Sequence, residues 1–226
     1  MKDLPFGSEQ LLNWLAAYNQ ALWPAHILAY ALALAALVLA WLAVHRPWAG
    51  RAAAAILAAM WLATGLVYHL QGFSRLTPTA YILAGLFILQ GLMLLFDGVL
   101  RQNLVLAPSR DGFMVTGAVF LLWSLAGHPW LAGYLGHPWP QTGLVGLAPG
   151  PTVAFTCGLL LWSRGRMPKR LLAVPVLWSF LGFMLALDMG LREEVGLLLV
   201  GLVSASLLLP RDLKPVLAPG EEADRP

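Results

Sequence analysis

Long apolar runs, separated by short clusters of arginine, lysine and proline, set the layout of the chain. A bilayer core about 30 Å thick needs about 20 helical residues to cross it. Seven segments meet or approach that length: Ala21–Val44, Ala52–Gln71, Pro78–Gly98, Gly112–Gly127, Pro151–Trp162, Leu171–Met189 and Val195–Leu209. This pattern predicts an all-α polytopic membrane protein, a seven-helix transmembrane bundle. Residues 1–20 read as an interfacial segment, 21–210 as the seven-span domain and 211–226 as a disordered cytoplasmic tail. In the first segment Ser8 is expected to cap a short helix, with Glu9 and Gln10 in its first turn. Leu11, Leu15 and Tyr18 fall on one face of that helix.

The fifth span breaks the pattern. From Pro151 to Arg164 there are 13 residues, about 20 Å of helix, so this span is expected to be short or broken. Ahead of it, residues 126–150 are predicted to form an outer-face loop. This stretch carries Gly-His-Pro-Trp twice, at Gly127–Trp130 and Gly136–Trp139, and ends in Pro149-Gly150-Pro151. Its prolines and glycines argue against one helix. The short span pulls the Pro-Gly-Pro turn below the membrane surface, where irregular backbone is tolerated only against protein or a water-filled cavity. Transporters build substrate sites from broken helices of this kind. A weaker pattern pairs Trp61-x-x-x-Gly65 with Trp178-x-x-x-Gly182, and Leu83-Ala-Gly85-Leu86 with Leu199-Val-Gly201-Leu202, as a three-plus-one-plus-three repeat would.

Composition agrees with lipid as the solvent. The 226 residues are 59% hydrophobic and 11% charged, with mean hydropathy +0.73, whereas soluble domains run near a quarter charged. The net charge of +3 points to topology rather than to nucleic acid, because 11 of the 14 basic residues lie on one side of the predicted bundle. Only Lys2, Arg75 and Arg192 fall on the other. The positive-inside rule then places the N-terminus outside and the C-terminus in the cytoplasm of a cell inner (plasma) membrane. Trp23, Trp48, Trp130, Trp139 and Trp162 sit near predicted span ends, as interfacial aromatics do. Asp3 and Glu9 occupy the place of a basic n-region, so no cleavable signal is expected. The single cysteine, Cys157, rules out an intrachain disulfide and reads as a packing residue.

Candidate chemistry gathers at the predicted outer face. His26, His69, His128 and His137 map there with Asp188, and Glu193 and Glu194 lie just beyond; Tyr68, Gln71 and Thr152 add neutral polar groups. Histidines and carboxylates brought together could bind a divalent metal or relay protons, with His69 and His137 the metal candidates. No HxxxH or HExxH places two ligands by local spacing. His128 reads as the interfacial end of span four. Asp97 is expected to meet Arg101 one turn on, and Gln90 to hydrogen-bond a neighbouring helix. No lysine lies in a span, which removes a retinal Schiff base. No phosphate loop or activated serine is signalled, and no motif names an enzymatic reaction or a cofactor.

Several stretches resemble a bacterial integral-membrane family known as domain of unknown function 6064. They are LLNWLAAYNQALWPAH (Leu11–His26), WLATGLVYHLQGFSRLTPTAYILAGLFILQG (Trp61–Gly91), GHPWPQTGLVGLAPGPTVAFTCG (Gly136–Gly158) and LLAVPVLWSFLGFMLALDMG (Leu171–Gly190). The resemblance implies a multi-spanning helical protein of the inner membrane and no established activity. The family pattern carries a cysteine between the two prolines of the third block. Here that position is Gly150, so a cysteine-dependent role does not carry over. The resemblance coincides with Tyr18, Asn19, His26, Tyr68, His69, His137, Pro151 and Thr152.

These readings lead to a small-solute or ion transport or binding protein with an outward-facing polar cavity. Its ligand-binding residues would be Tyr68, His69, His137, Thr152, Asp188 and His26. A membrane enzyme using a metal or haem, and a non-catalytic membrane subunit or assembly factor, stand as alternatives. The expected partners are the lipid bilayer and a small-molecule or ion ligand, with room for a homo-oligomer and none for nucleic acid.

Overall fold

The computed structural model describes residues 6–211. The tail expected at 211–226 therefore lies outside the described residues from 212 on. Helix α1 (Ser8–Ala21) starts the chain, with Gly7 rather than Ser8 at its N-cap. Five helices are long and apolar enough to cross a membrane: Ala25–Leu42 (α2), Pro47–Arg75, Thr79–Leu100, Gly112–Tyr134 and Lys169–Met189. The second consists of α3 (Pro47–Ala63), a π-helical stretch Thr64–Gly72 and a 3-10 turn Phe73–Arg75; the third of α4 (Thr79–Leu94) and a π-helical Leu95–Leu100. The fourth joins α5 (Gly112–Leu122), a π-turn Trp123–Gly127 and α6 (His128–Tyr134). Helix α8 (Ala173–Met189) belongs to the fifth, and α7 (Pro149–Leu161) and α9 (Gly196–Leu208) are shorter. Strands β1 (Val105–Leu106) and β2 (Ser163–Arg164) pair antiparallel, a small exception to the all-helical expectation.

The bundle packs small residues inward and large apolar ones outward. On α2 the buried positions are Ala29, Ala33, Ala36 and Ala40, at helical spacing, while Ile27, Leu34, Val38 and Trp41 are exposed. A water-soluble helix would reverse that choice. In lipid, small residues let helices approach and large ones face the acyl chains. Helix α7 is the exception that sits at the centre: every residue from Pro149 to Leu161 is buried. Its closest approach is to α5. A Cβ on Gly158 would lie 2.9 Å from the Gly117 carbonyl oxygen, and one on Gly117 would lie 2.8 Å from that of Gly158.

Prolines inside the bundle each leave one carbonyl without its helical donor, and side chains from other helices supply replacements. Pro129 cannot donate to Leu125 O, which accepts from the Tyr30 hydroxyl at 3.1 Å. Ahead of α7, Leu147 O accepts from the Tyr18 hydroxyl at 2.8 Å. Pro175 cannot donate to Leu171 O, which accepts from Gln90 Nε2 at 2.9 Å. Where water is absent such groups must be satisfied within the protein. Gln90 thus makes the interhelical bond its position suggested.

At one end of the bundle the basic loops meet. Arg164 donates to Pro108 O at 2.7 Å and Arg211 to Ser163 O at 2.6 Å. Lys169 Nζ caps the C-terminus of α9 through Leu208 O at 2.9 Å, a placement that suits the negative end of a helix. Asp97 corrects the expected local pair: it accepts two hydrogen bonds from Arg170, the first from Nε at 2.9 Å. Arg101 lies instead over the Phe96 ring, 4.5 Å from its centroid. The π-helical ending of this span, with Arg101 N bonded to Phe96 O, removes the α-helical register that the local pair required.

The paired tryptophan motifs share surroundings only in part. Trp61 and Trp178 both pack on Phe87, at 4.5 and 5.1 Å between centroids. However, a Cβ on Gly85 would meet nothing within 4 Å, while one on Gly201 would lie 2.4 Å from Ser179 Cβ. Trp162 is buried and donates to Met114 O at 2.9 Å, unlike the exposed Trp23, Trp48, Trp130 and Trp139.

Candidate functional site

The predicted loop begins later than its composition suggests. The helix starting at Gly112 passes through Gly127, His128, Pro129 and Trp130 and ends at Tyr134. The π-turn at Trp123–Gly127 and the Tyr30 hydroxyl accommodate Pro129. The first Gly-His-Pro-Trp is therefore helical, and the irregular segment runs from 135 to 148.

That segment folds into the bundle above α7. Val145, Leu147 and Ala148 are buried, and side chains from three helices hold its backbone. Asn19 Nδ2 donates to Pro140 O and Thr142 O at 2.7 and 2.8 Å. Thr152 accepts from Gly146 N at 2.8 Å and donates to Ala148 O at 2.6 Å. Thr64 donates to Gly146 O at 3.4 Å. Burial with no charged partner pushes the Tyr18 phenol well above its ordinary pKa, so this residue stays a neutral donor to Leu147 O. Helix α7 is about 20 Å long and the Gly112–Tyr134 helix about 35 Å. Both have one end near the Trp162–Met114 bond, so α7 begins well inside the bundle.

Two histidine–carboxylate pairs stand over this helix start. His128 Nε2 lies 3.0 Å from Glu194 Oε1, and His137 Nδ1 lies 2.8 Å from Glu193 Oε1. The histidines of the doubled Gly-His-Pro-Trp thus each engage one of two adjacent glutamates in the 3-10 turn Arg192–Glu194. Glu194 also rests on Gly150, where a Cβ would lie 2.3 Å from Oε2. A carboxylate here suits the positive end of α7. With prolines at 149 and 151, Gly150 keeps the only N–H of the first three helical positions.

Between α1, α8 and this helix start lies a cavity of about 70 Å³. Its polar lining comes from His128, Thr142, Glu193, Glu194, Tyr68 and Gln141, and Trp178 forms part of the wall. Four of these side chains carry a buried atom with no hydrogen-bond partner: His128 Nδ1, Thr142 Oγ1, Trp178 Nε1 and Glu193 Oε2. Their residues are only 3%, 4%, 7% and 5% exposed. Buried polar groups are nearly always paired in native proteins, so these four leave hydrogen-bonding capacity unused around one cavity.

The expected site residues divide. Tyr68 lines the cavity, and His137 reaches it through Glu193. Thr152 builds the backbone of the irregular segment instead of lining the cavity. His26 pairs with Asn19, Nε2 to Oδ1 at 3.2 Å. His69 is fully buried among aromatic rings, 4.6 Å from Phe87 and 5.3 Å from Trp178 between centroids, with neither nitrogen bonded. Asp188 is exposed and lines a separate, apolar opening with Phe6, Phe73 and Met184. His128, read as an interfacial residue, is buried and belongs to the site; Thr142, Trp178, Glu193 and Glu194 join it. The doubled His motif opposite a Glu-Glu dipeptide was the signal available for them. Among the described residues no three His, Cys, Asp or Glu side chains are grouped to hold a metal ion, so the candidates His69 and His137 do not form such a centre with a third ligand.

The profile of a family of unknown function, DUF6064, matches residues 8–218. The chain belongs to that family. No curated protein and no solved structure matches it. The match to DUF6064 spans α1 to α9, and thus every residue that lines the cavity.

Proposed function

We propose that this DUF6064 protein is a seven-span inner-membrane protein that binds, and by extension transports, a small polar solute or ion. The cavity over the start of α7 is its site and opens to the outer face. The observation that carries the reading is the set of four unpartnered, buried polar atoms around one small cavity. The irregular backbone held at that depth supports it, because such backbone lines binding sites in transporters. The site residues are His128, Thr142, Trp178, Glu193 and Glu194, with Tyr68 on the wall and His137 positioning Glu193.

A ligand that binds the folded state raises thermal stability by mass action. Across a panel of small cations, anions and neutral amides, at least one class is expected to raise the Tm of the detergent-solubilised protein, and the same compound should leave Thr142→Val unshifted. A panel that shifts neither protein favours the non-catalytic subunit instead.

The orientation has its own test. Cys157 is fully buried, so a cysteine introduced elsewhere is the reactive one. In intact cells, Tyr134→Cys, at a position 77% exposed, is expected to react with a membrane-impermeant maleimide, and Arg166→Cys only after permeabilisation. The reverse pattern would invert the topology.

A further inference from the structure

The ligand class follows from the balance of charge and hydrogen-bonding groups around the cavity, and it rests on the reading of this cavity as a small-solute site. Among the described residues its ionisable lining is Glu193, Glu194, His128 and Tyr68, with no lysine or arginine. Even with His128 and His137 both charged, the two histidines only balance the two glutamates. With both glutamates ionised the described lining is not net positive, which disfavours an anion. The positive end of α7 is already faced by Glu194, which rests on Gly150.

Of the four unpartnered atoms, Trp178 Nε1 is a donor, while Glu193 Oε2 and Thr142 Oγ1 can accept from a donor-rich guest. Glu193 Oε1 takes the His137 contact, and Oε2 can only accept when the carboxyl is ionised, having no proton to donate. His128, whose Nε2 is engaged by Glu194 Oε1, presents Nδ1 as a donor when charged and as an acceptor when neutral. Thr142 Oγ1 accepts as well. Glu193 Oε2 and Thr142 Oγ1 can each accept an N–H from an ammonium head group. The aromatic side chains of Trp178 and Tyr68 also line the cavity. A bare metal ion would need several ligands converging on one point, and no such grouping exists among the described residues. The volume of about 70 Å³ admits a guest of only a few heavy atoms.

We infer that the cavity binds a small protonated amine, of the size of ammonium or methylammonium, through Glu193 and Thr142 against the Trp178 wall. The test is equilibrium dialysis of the full-length protein in lipid nanodiscs with radiolabelled methylammonium, urea and formate in separate arms, at constant sodium chloride. Saturable methylammonium binding is expected, displaced by ammonium and not by sodium. Thr142→Val, which removes one acceptor at nearly constant shape, and Glu193→Gln, which removes the charge, should each weaken it about tenfold or more. Both variants are checked for a monodisperse, helical fold, and Thr142→Val keeps the test valid if Glu193→Gln misfolds. Saturable urea or formate binding without methylammonium binding overturns the amine assignment and leaves the cavity as a solute site. Methylammonium binding unchanged in a folded Thr142→Val or Glu193→Gln also overturns it. No saturable binding of any of the three removes the solute site itself.

Discussion

Arg170→Ala is expected to lower the stability of the protein by about 3 kcal/mol, measured by SDS-titrated unfolding followed by circular dichroism. Asp97 is 0% exposed and accepts two hydrogen bonds from the Arg170 guanidinium. Removing the arginine strands a carboxylate beside lipid-facing helices. The value sits at the low end of the range for broken buried pairs, because the Arg170 side chain is half exposed and already partly solvated. Asp97→Leu combined with Arg170→Leu should cost less than Arg170→Ala alone, since it leaves no charge behind. A double variant less stable than the single one would mean that the pair contributes more than it costs to bury. Arg101→Ala serves as the contrast: Arg101 lies over an exposed ring and its loss should change stability by well under about 1 kcal/mol.

Gly158→Ala is expected to cost about 2 kcal/mol in the same assay. The new methyl group would stand 2.7 Å from Leu121 Cγ and 2.9 Å from the Gly117 carbonyl oxygen. A side chain can rotate away, but the backbone oxygen of α5 can move only with its helix. Because α7 is buried along its whole length, that displacement reaches the Trp61–Thr156 hydrogen bond at 2.7 Å as well. Gly85→Ala is the control: its Cβ meets nothing within 4 Å, and it should be neutral or slightly stabilising through helix propensity. Equal stabilisation at the two positions would show that helix propensity, and not close approach, governs these glycines.

Both effects arise where the sequence and the structure diverge in what they disclose. The apolar runs and their lengths were legible because a helix in lipid satisfies its own backbone and needs only length and hydrophobicity. The shortness of the fifth span was legible for the same reason, and α7 is 13 residues long. The helix through His128 was not, because a proline inside a helix is tolerated only when another element compensates for it. Here Tyr30 does so, 95 residues away from Leu125. Asp97 was assigned to its nearest cation by spacing, yet the π-helical turn sent it to one 73 residues on.

The site shows the same division more sharply. By itself the sequence determined that the chain is built of membrane-length apolar helices, and that a Pro/Gly-rich segment precedes a short central one. It also supplied histidines and acids near that segment. Only the tertiary structure decided which of them meet. His137 finds Glu193 across 56 residues and His128 finds Glu194 across 66, while His69, His26 and Asp188 go elsewhere. The physical reason is that hydrophobicity and helix length are properties of contiguous residues. A buried polar site depends on side chains from separate helices, and their meeting is set by packing, down to the absence of a side chain at Gly150, where Glu194 rests.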